Sequence, residues 1–322
     1  MKAKALTLLL VLPLASSCSK SIYLHKAIFA FDTAIEISLY EGDESNLNDI
    51  AFILERYSNL SDNYSPRDIN NVYSINQINE DIQVDNDLYS LLKASFEVKE
   101  EGATYFNPLC GSLSKAWKEA IKNETILSDE EITSYLLSMN ATTLTFKDDN
   151  YVQRSGEAEI DLGAIAKGYS LDRVYDYLKD KQMSHYLINA GRSSILLGEK
   201  VGKDPNFRIG LNIPGAYFYA NNCFISTSSV IYGDNEESQS ITIDGVTYSH
   251  IINPVTGSAT PINDTVIVIS DKGYIGDAFS TSLMNNTIDE IKDIEQQCNI
   301  KTIVINDNKI EYFHSDLKVH TS

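Results

Sequence analysis

Positive charge is scarce in this chain: 26 lysines and arginines stand against 45 aspartates and glutamates, for a formal net charge of -19. So acidic a surface does not suit nucleic acid, whose phosphates need a basic footprint. Any polyanionic ligand must therefore be gripped locally, by backbone amides, a few cations or a metal ion. Cysteine is sparse too. Beyond Cys18 only Cys110, Cys223 and Cys298 remain, an odd number without CxxC spacing. Neither a disulfide framework nor a zinc site is indicated, and free thiols in the core are expected. After the first 17 residues no apolar run approaches the length of a membrane span. No fixed-period repeat, low-complexity tract or clear linker is present, which sets solenoids and tandem arrays aside.

The N-terminus carries Lys2 and Lys4, then an apolar run over residues 5–15, then small residues leading to Cys18. That order predicts an export signal over residues 1–17. The stretch "LASSCSK" resembles a bacterial lipobox, which implies lipidation of Cys18 as the new N-terminus; ordinary cleavage is the plainer alternative. The expected product is an exported lipoprotein, anchored to a membrane surface without crossing it and facing the periplasm or the outer face of the cell membrane. Residues 18–27 would be a tether, and residues 28–322 the folded domain.

Within that domain, residues 28–40 read as a strand. Residues 46–62 place Leu47, Ile50, Ile53, Leu54 and Tyr57 on one face of a helix. A Ser-, Asn- and Pro-rich loop follows, then a second helix over 87–101 that ends at Gly102. The segment "ATYFNPLCGSLSKAW" mixes turn formers with aromatics, and "LSDEEI" looks like a capped helix start. The second half predicts a helix over 164–181, the strands "HYLINAG", "SSILLG", "FRIGLN", "CFISTS", "SQSITID", "VTYSHIIN" and "DTVIVIS", a helix near Asp277, and two closing strands, "KTIVIN" and "KIEYFH". Runs of strands interspersed with helices predict an α+β fold with a mainly antiparallel sheet.

Three stretches carry candidate chemistry. In "EIDLGAIAKGYSLDRV", Asp161 and Lys167 flank the point where a strand end turns into a helix. A helix starting near Gly163 would present unpaired amides, a favourable dipole and a nearby cation to a pyrophosphate. The same residues would also serve as a plain Asp cap with a surface lysine. In "YIGDAFSTSLM", Asp277 and Thr281 are one helical turn apart, so a carboxylate and a hydroxyl can face one point. Magnesium, which takes one or two carboxylates with phosphates and water, fits such a pair; a threonine bonding back to its own helix is the alternative. In "YSHIINPVTGSATP", His250 runs into a Pro-Thr-Gly turn and is a candidate general base, or else a satisfied polar residue beside a turn.

Taken in order, "FDTAIEISLY", "YFNPLCGSLSKAW", "DLGAIAKGYSLDRV", "LINAG", "FISTSS", "YSHIINPVTG" and "GDAFSTSLM" resemble the ApbE family of FAD:protein FMN transferases, over residues 29–313. The resemblance implies an ApbE-like fold of two intertwined subdomains, with a mainly antiparallel sheet and flanking helices. It implies FAD as substrate and Mg²⁺ as cofactor, and contacts to FAD from Asp161 and Lys167. Phe31, Phe106 and Asn107 would contact the flavin, and His250 and Ile252 would lie beside the diphosphate. The main-chain carbonyl of Ala164 and the side chains of Asp277 and Thr281 would hold the metal. The reaction implied moves FMN from FAD to a threonine hydroxyl of an exported or membrane-bound flavoprotein, releasing AMP, with His250 and Asp277 catalytic. Five positions depart from the family pattern: Asp32 in "FDT", Arg192 and Ser193 in "NAGRS", Ser229 in "TSS", and Asn253 where an aspartate is usual. An FAD pyrophosphatase giving FMN and AMP, and a noncatalytic FAD-binding lipoprotein, are the alternative outcomes.

Overall fold

The computed structural model describes residues 23–230 and 240–321. The export signal and Cys18 lie outside the described residues. β1 (Leu24–Ala30) and β2 (Thr33–Leu39) open the fold, followed by α1 (Glu44–Ser61), α2 (Val72–Asn76), β3 (Asp81–Gln83), α3 (Asn86–Glu100), α4 (Gly111–Lys122) and α5 (Asp129–Ala141). Next come β4 (Thr143–Phe146), β5 (Tyr151–Ser155), α6 (Ala166–Asp180), β6 (Tyr186–Ala190), β7 (Ser194–Leu197), β8 (Phe207–Gly210), β9 (Tyr217–Ala220) and β10 (Cys223–Ser229). The chain closes with β11 (Ser240–Ile243), β12 (Val246–Ser249), β13 (Thr265–Ser270), α7 (Gly273–Leu283), α8 (Ile288–Cys298), β14 (Lys301–Asn306), β15 (Lys309–Phe313) and β16 (Val319–His320).

Eight strands form one sheet in the order β1-β2-β6-β7-β10-β13-β14-β15, every pair antiparallel, as the sequence predicts. β13 shows how it is covered. Its alternate residues Val266 and Val268 enter the core under the helices, while Ile267 faces the opposite core with Phe218 and Phe207. Neighbouring strands β2 and β6 are separated in sequence by α1 to α6, so the helical layer and the small sheet β3-β5-β4 are inserted within the main sheet's connectivity.

Three helices have no counterpart in the sequence reading: the short α2, α4 and α8. α4 begins amid "NPLCG", where turn formers mask its start. α8 is announced by a capping box in which Thr287 and Glu290 bond each other's backbone amides. The helix predicted over 164–181 begins two residues later, at Ala166. The sheet also begins before the expected domain boundary, because residues 24–27 already pair with β2.

The strand predicted over 28–40 is instead a hairpin. Phe31 and Asp32 form its two-residue loop, with φ of 53° and 56°. Those are the left-handed values of a type I′ turn, which normally recruits Asn-Gly or Asp-Gly. Neither residue here has glycine's freedom, so the turn signal is missing from the sequence while the turn is present. The Phe31 amide donates to the Ser58 hydroxyl of α1 at 2.8 Å and fixes the tip against the helix. Asp32→Gly should raise stability by roughly 1 kcal/mol by relieving this left-handed residue. Urea midpoints check it, and an unchanged or lower midpoint would show that the turn carries no strain at Asp32.

Candidate active site

The site grows from the way α6 and α7 cap one another. Gly168 in α6 donates its amide to Oδ2 of Asp277 at 2.6 Å, and Gly273 in α7 donates to Oδ1 of Asp172 at 2.8 Å. Tyr274 adds a second amide to Asp172 at 2.9 Å. Each helix thus offers a glycine N–H to an aspartate four residues beyond the glycine on the other. Side chains would prevent this approach: a Cβ on Gly168 would overlap the Gly273 carbonyl and press on the Asp277 carboxyl carbon, and one on Gly273 would overlap the Gly168 carbonyl.

This exchange frees a backbone oxygen. In an unbroken helix the Gly168 amide would bond the Ala164 carbonyl. Here it bonds Asp277, and no backbone amide among the described residues donates to Ala164. The residues ahead of α6 form a turn in which Ile165 and Ala166 both donate to the Leu162 carbonyl, at 3.0 and 2.9 Å. Asp161 accepts the Gly163 amide at 2.7 Å, so it does cap this turn. The front of α6 is therefore at Ala166 rather than Gly163, and Lys167 lies in its first turn.

Asp277 is buried. Its Oδ1 accepts the hydroxyls of Ser194 and Ser226, each at 2.7 Å. Burial raises its pKa, opposed by the Lys167 charge and by the hydrogen bonds from Ser226, Ser194 and Gly168. Thr281, one turn later, sits 3.2 Å from the Ser228 hydroxyl. The Ala164 carbonyl, the Asp277 carboxylate and the Thr281 hydroxyl are all hard oxygen donors, one of them a carboxylate. Such a set fits Mg²⁺, which fills its remaining positions with phosphate and water.

A cavity of about 420 Å³ opens beside them. Phe31, Phe106, Asn107, Asp161, Ala164, Lys167, His250, Ile252 and Thr281 all line it. Of the sequence-predicted site residues in the described chain, only Asp277 stands behind the wall. Tyr105 lines the cavity too, and its amide donates to Ser282 of α7 at 2.9 Å, tying the aromatic segment to the helix that carries Asp277. Approach to the α6 turn is fixed by Asn76, whose side chain bonds both the amide and the carbonyl of buried Ile160, at 2.8 and 2.9 Å.

His250 follows β12, and its surroundings are held from two sides. Trp117 of α4 stacks on Tyr248 at 5.7 Å between ring centroids, and donates its indole N–H to the Gly257 carbonyl at 2.9 Å. Between them Asn253 caps the turn, its side-chain oxygen accepting the amides of Val255 and Thr256 at 2.9 and 3.1 Å. Asn253 is not among the cavity-lining residues. An asparagine oxygen accepts amides as a carboxylate does, so this departure from the family pattern falls in a turn. Arg192 is exposed with φ of 66° and does not line the cavity, whereas Gly191 and Ser193 do. Ser229 pairs with the Thr265 hydroxyl at 2.6 Å.

Lys118 was missed. It lines the cavity with Cys110 and Ser114, the three at four-residue spacing on one face of α4 and its cap. That spacing is the sequence signal for Lys118, and the turn formers at the start of α4 mask it. Burial would lower the Lys118 pKa, but the Asp161 charge, the Tyr64 hydroxyl at 3.0 Å and the Asp32 charge together raise it. Burial pushes the Cys110 thiol up to about 12, aided by Asp161, so it is neutral. Cys110, Cys223 and Cys298 are free and half-buried rather than in the core.

The cleft thus joins aromatic side chains to a lysine at a helix front and to two oxygen-donor positions, Ala164 and Thr281, with the Asp277 carboxylate behind its wall. The ApbE family model matches residues 31–304, and the chain belongs to that family. It is 27% identical over 299 residues to the FAD:protein FMN transferase of Klebsiella pneumoniae strain 342, covering 89% of this chain and 90% of that protein. Its fold matches the crystal structure of the ApbE protein of Thermotoga maritima with a TM-score of 0.75, at 24% identity, covering 94% of this chain and 97% of that one. The flavin transferase ApbE of Vibrio cholerae matches with a TM-score of 0.73 at 20% identity, covering 92% and 98%.

Gly168→Ala should cost about 2 kcal/mol or more by forcing α6 and α7 apart; a denaturation midpoint equal to wild type would contradict the mutual capping. A second outcome concerns pH. Burial raises the Asp172 carboxyl to about 6 from 3.8, and the Tyr274 and Gly273 amides do not fully offset it. Between those values the folded chain holds a proton that the unfolded chain has lost, so this group's contribution to stability falls as pH rises through the window. Asp172→Asn should flatten that fall in a urea series between about pH 4 and 6, whereas parallel curves would show that Asp172 does not titrate there.

Proposed function

We propose that this chain is an FAD:protein FMN transferase that moves FMN from FAD to a threonine hydroxyl of an exported flavoprotein and releases AMP. The single observation that carries the reading is one cavity that brings Phe31, Phe106 and Asn107, the turn ahead of α6 with Lys167, and the Ala164 and Thr281 positions to one space, with Asp277 behind its wall. Phe31, Tyr105 and Phe106 give the ring system apolar and aromatic surface. Lys167, in the first turn of α6, supplies a cation beside the diphosphate. Lys118 adds a second cation to a strongly acidic molecule.

The Ala164 carbonyl, Asp277 and Thr281 would hold Mg²⁺, which when bound offsets charge developing on the transferring phosphoryl group. His250, which lines the cavity between β12 and the Asn253 turn, takes the proton from the acceptor hydroxyl as its oxygen bonds to the FMN phosphorus. The phosphoanhydride bond to AMP breaks, and the AMP oxygen leaves with the electron pair. Lipidation of Cys18 and anchoring outside the cell membrane complete the proposal, because an exported acceptor requires an exported transferase.

Incubation of the purified chain with FAD, Mg²⁺ and a threonine-bearing acceptor tests it. A covalent FMN mass on the acceptor, with AMP released in equal amount, is expected. AMP without the adduct would make the protein an FAD pyrophosphatase, and neither product would make it a noncatalytic FAD binder. Asp277→Ala should lower transfer by roughly 10²-fold or more.

A further inference from the structure

Ser194 and Ser226 do something that the transfer reaction above leaves unexplained. They are directly paired across β7 and β10, and both are 1% exposed. Their hydroxyls converge on one oxygen of one carboxylate, Oδ1 of Asp277, each at 2.7 Å. Oδ2 accepts the Gly168 amide at 2.6 Å. Close approach of α7 to the sheet is possible because Gly276 has no side chain: a Cβ there would lie 2.7 Å from the Ser226 hydroxyl and 2.8 Å from that of Ser270.

An ionised carboxylate has about four acceptor positions, two on each oxygen. The serines fill both on Oδ1 and the Gly168 amide fills one on Oδ2. One position remains. We infer that Ser194 and Ser226 are positioning residues that clamp Asp277 so that it offers a single oxygen to a divalent cation. A carboxylate held this way ligates in monodentate fashion. That suits Mg²⁺, which demands near-octahedral geometry, and disfavours Ca²⁺, which favours more ligands and tolerates bidentate carboxylates. The clamp therefore selects the smaller ion. The inference rests on the metal reading above and concerns residues that the reading does not use.

Metal binding without turnover tests it. The full chain is loaded with ADP, which carries paired phosphates but no flavin to transfer, and is titrated calorimetrically with Mg²⁺ and with Ca²⁺. Ser194→Ala and Ser226→Ala should each weaken Mg²⁺ about tenfold and narrow the preference for Mg²⁺ over Ca²⁺. Ser194→Cys and Ser226→Cys, which keep the side chain's shape while offering a weak donor, should behave alike and guard against loss of fold. Ser270→Ala is the control: Ser270 is a buried serine on β13 whose hydroxyl donates to the Lys272 carbonyl at 2.8 Å and not to the carboxylate. It should leave both titrations unchanged. Variants that melt earlier yet bind both ions as the wild type does would make the serines purely structural and overturn the inference. A wild type that binds no Mg²⁺ with ADP would remove the metal reading and this one together.

Discussion

Two glycine amides donated across a helix crossing determine where everything else in this site can be. Gly168 reaches Asp277 and Gly273 reaches Asp172, and neither bond survives a methyl group at its glycine. The contact places α7 against the front of α6, turns the Ala164 carbonyl out of the helical ladder, and leaves Asp277 buried between helix and sheet. From that arrangement the remaining pieces follow. Ser282 on α7 carries the 105–107 segment, and the Phe31 hairpin is pinned to α1, so aromatic side chains and oxygen donors face one space.

The electrostatics answer the problem set by the composition. A chain of net charge -19 must concentrate positive charge where an anion is to bind. Lys167 does so from the first turn of α6, and its charge also steadies the buried Asp277 carboxylate. Lys118 does so from α4, kept charged by Asp161 and Asp32. In the proposed function, a divalent ion at Ala164, Asp277 and Thr281 would supply the rest of the compensation.

Much of this was legible in the sequence because it depends on short-range order. The strand runs of the second half, the capped start of α5 and the α1 face all follow from periodicity and caps. What escaped depends on contacts across the chain. The turn at Phe31 and Asp32 lacks glycine and so lacks a signal. α4 starts among turn formers, and with it went Lys118. The two stretches "GYSLD" and "GYIGD", residues 168–172 and 273–277, repeat one pattern in the two helices that cap each other, and only their packing gives the repeat meaning. Asn253 shows the opposite case. It departs from the family pattern in the sequence, whereas its neighbours show it capping a turn.

The most direct measurement is anomalous scattering from Mn²⁺ soaked, with FAD, into crystals of the protein. The account predicts a peak bounded by the Ala164 carbonyl, Asp277 Oδ2 and the Thr281 hydroxyl, with the diphosphate alongside. A peak elsewhere, or FAD bound in the cavity with no metal at these three oxygens, would contradict it.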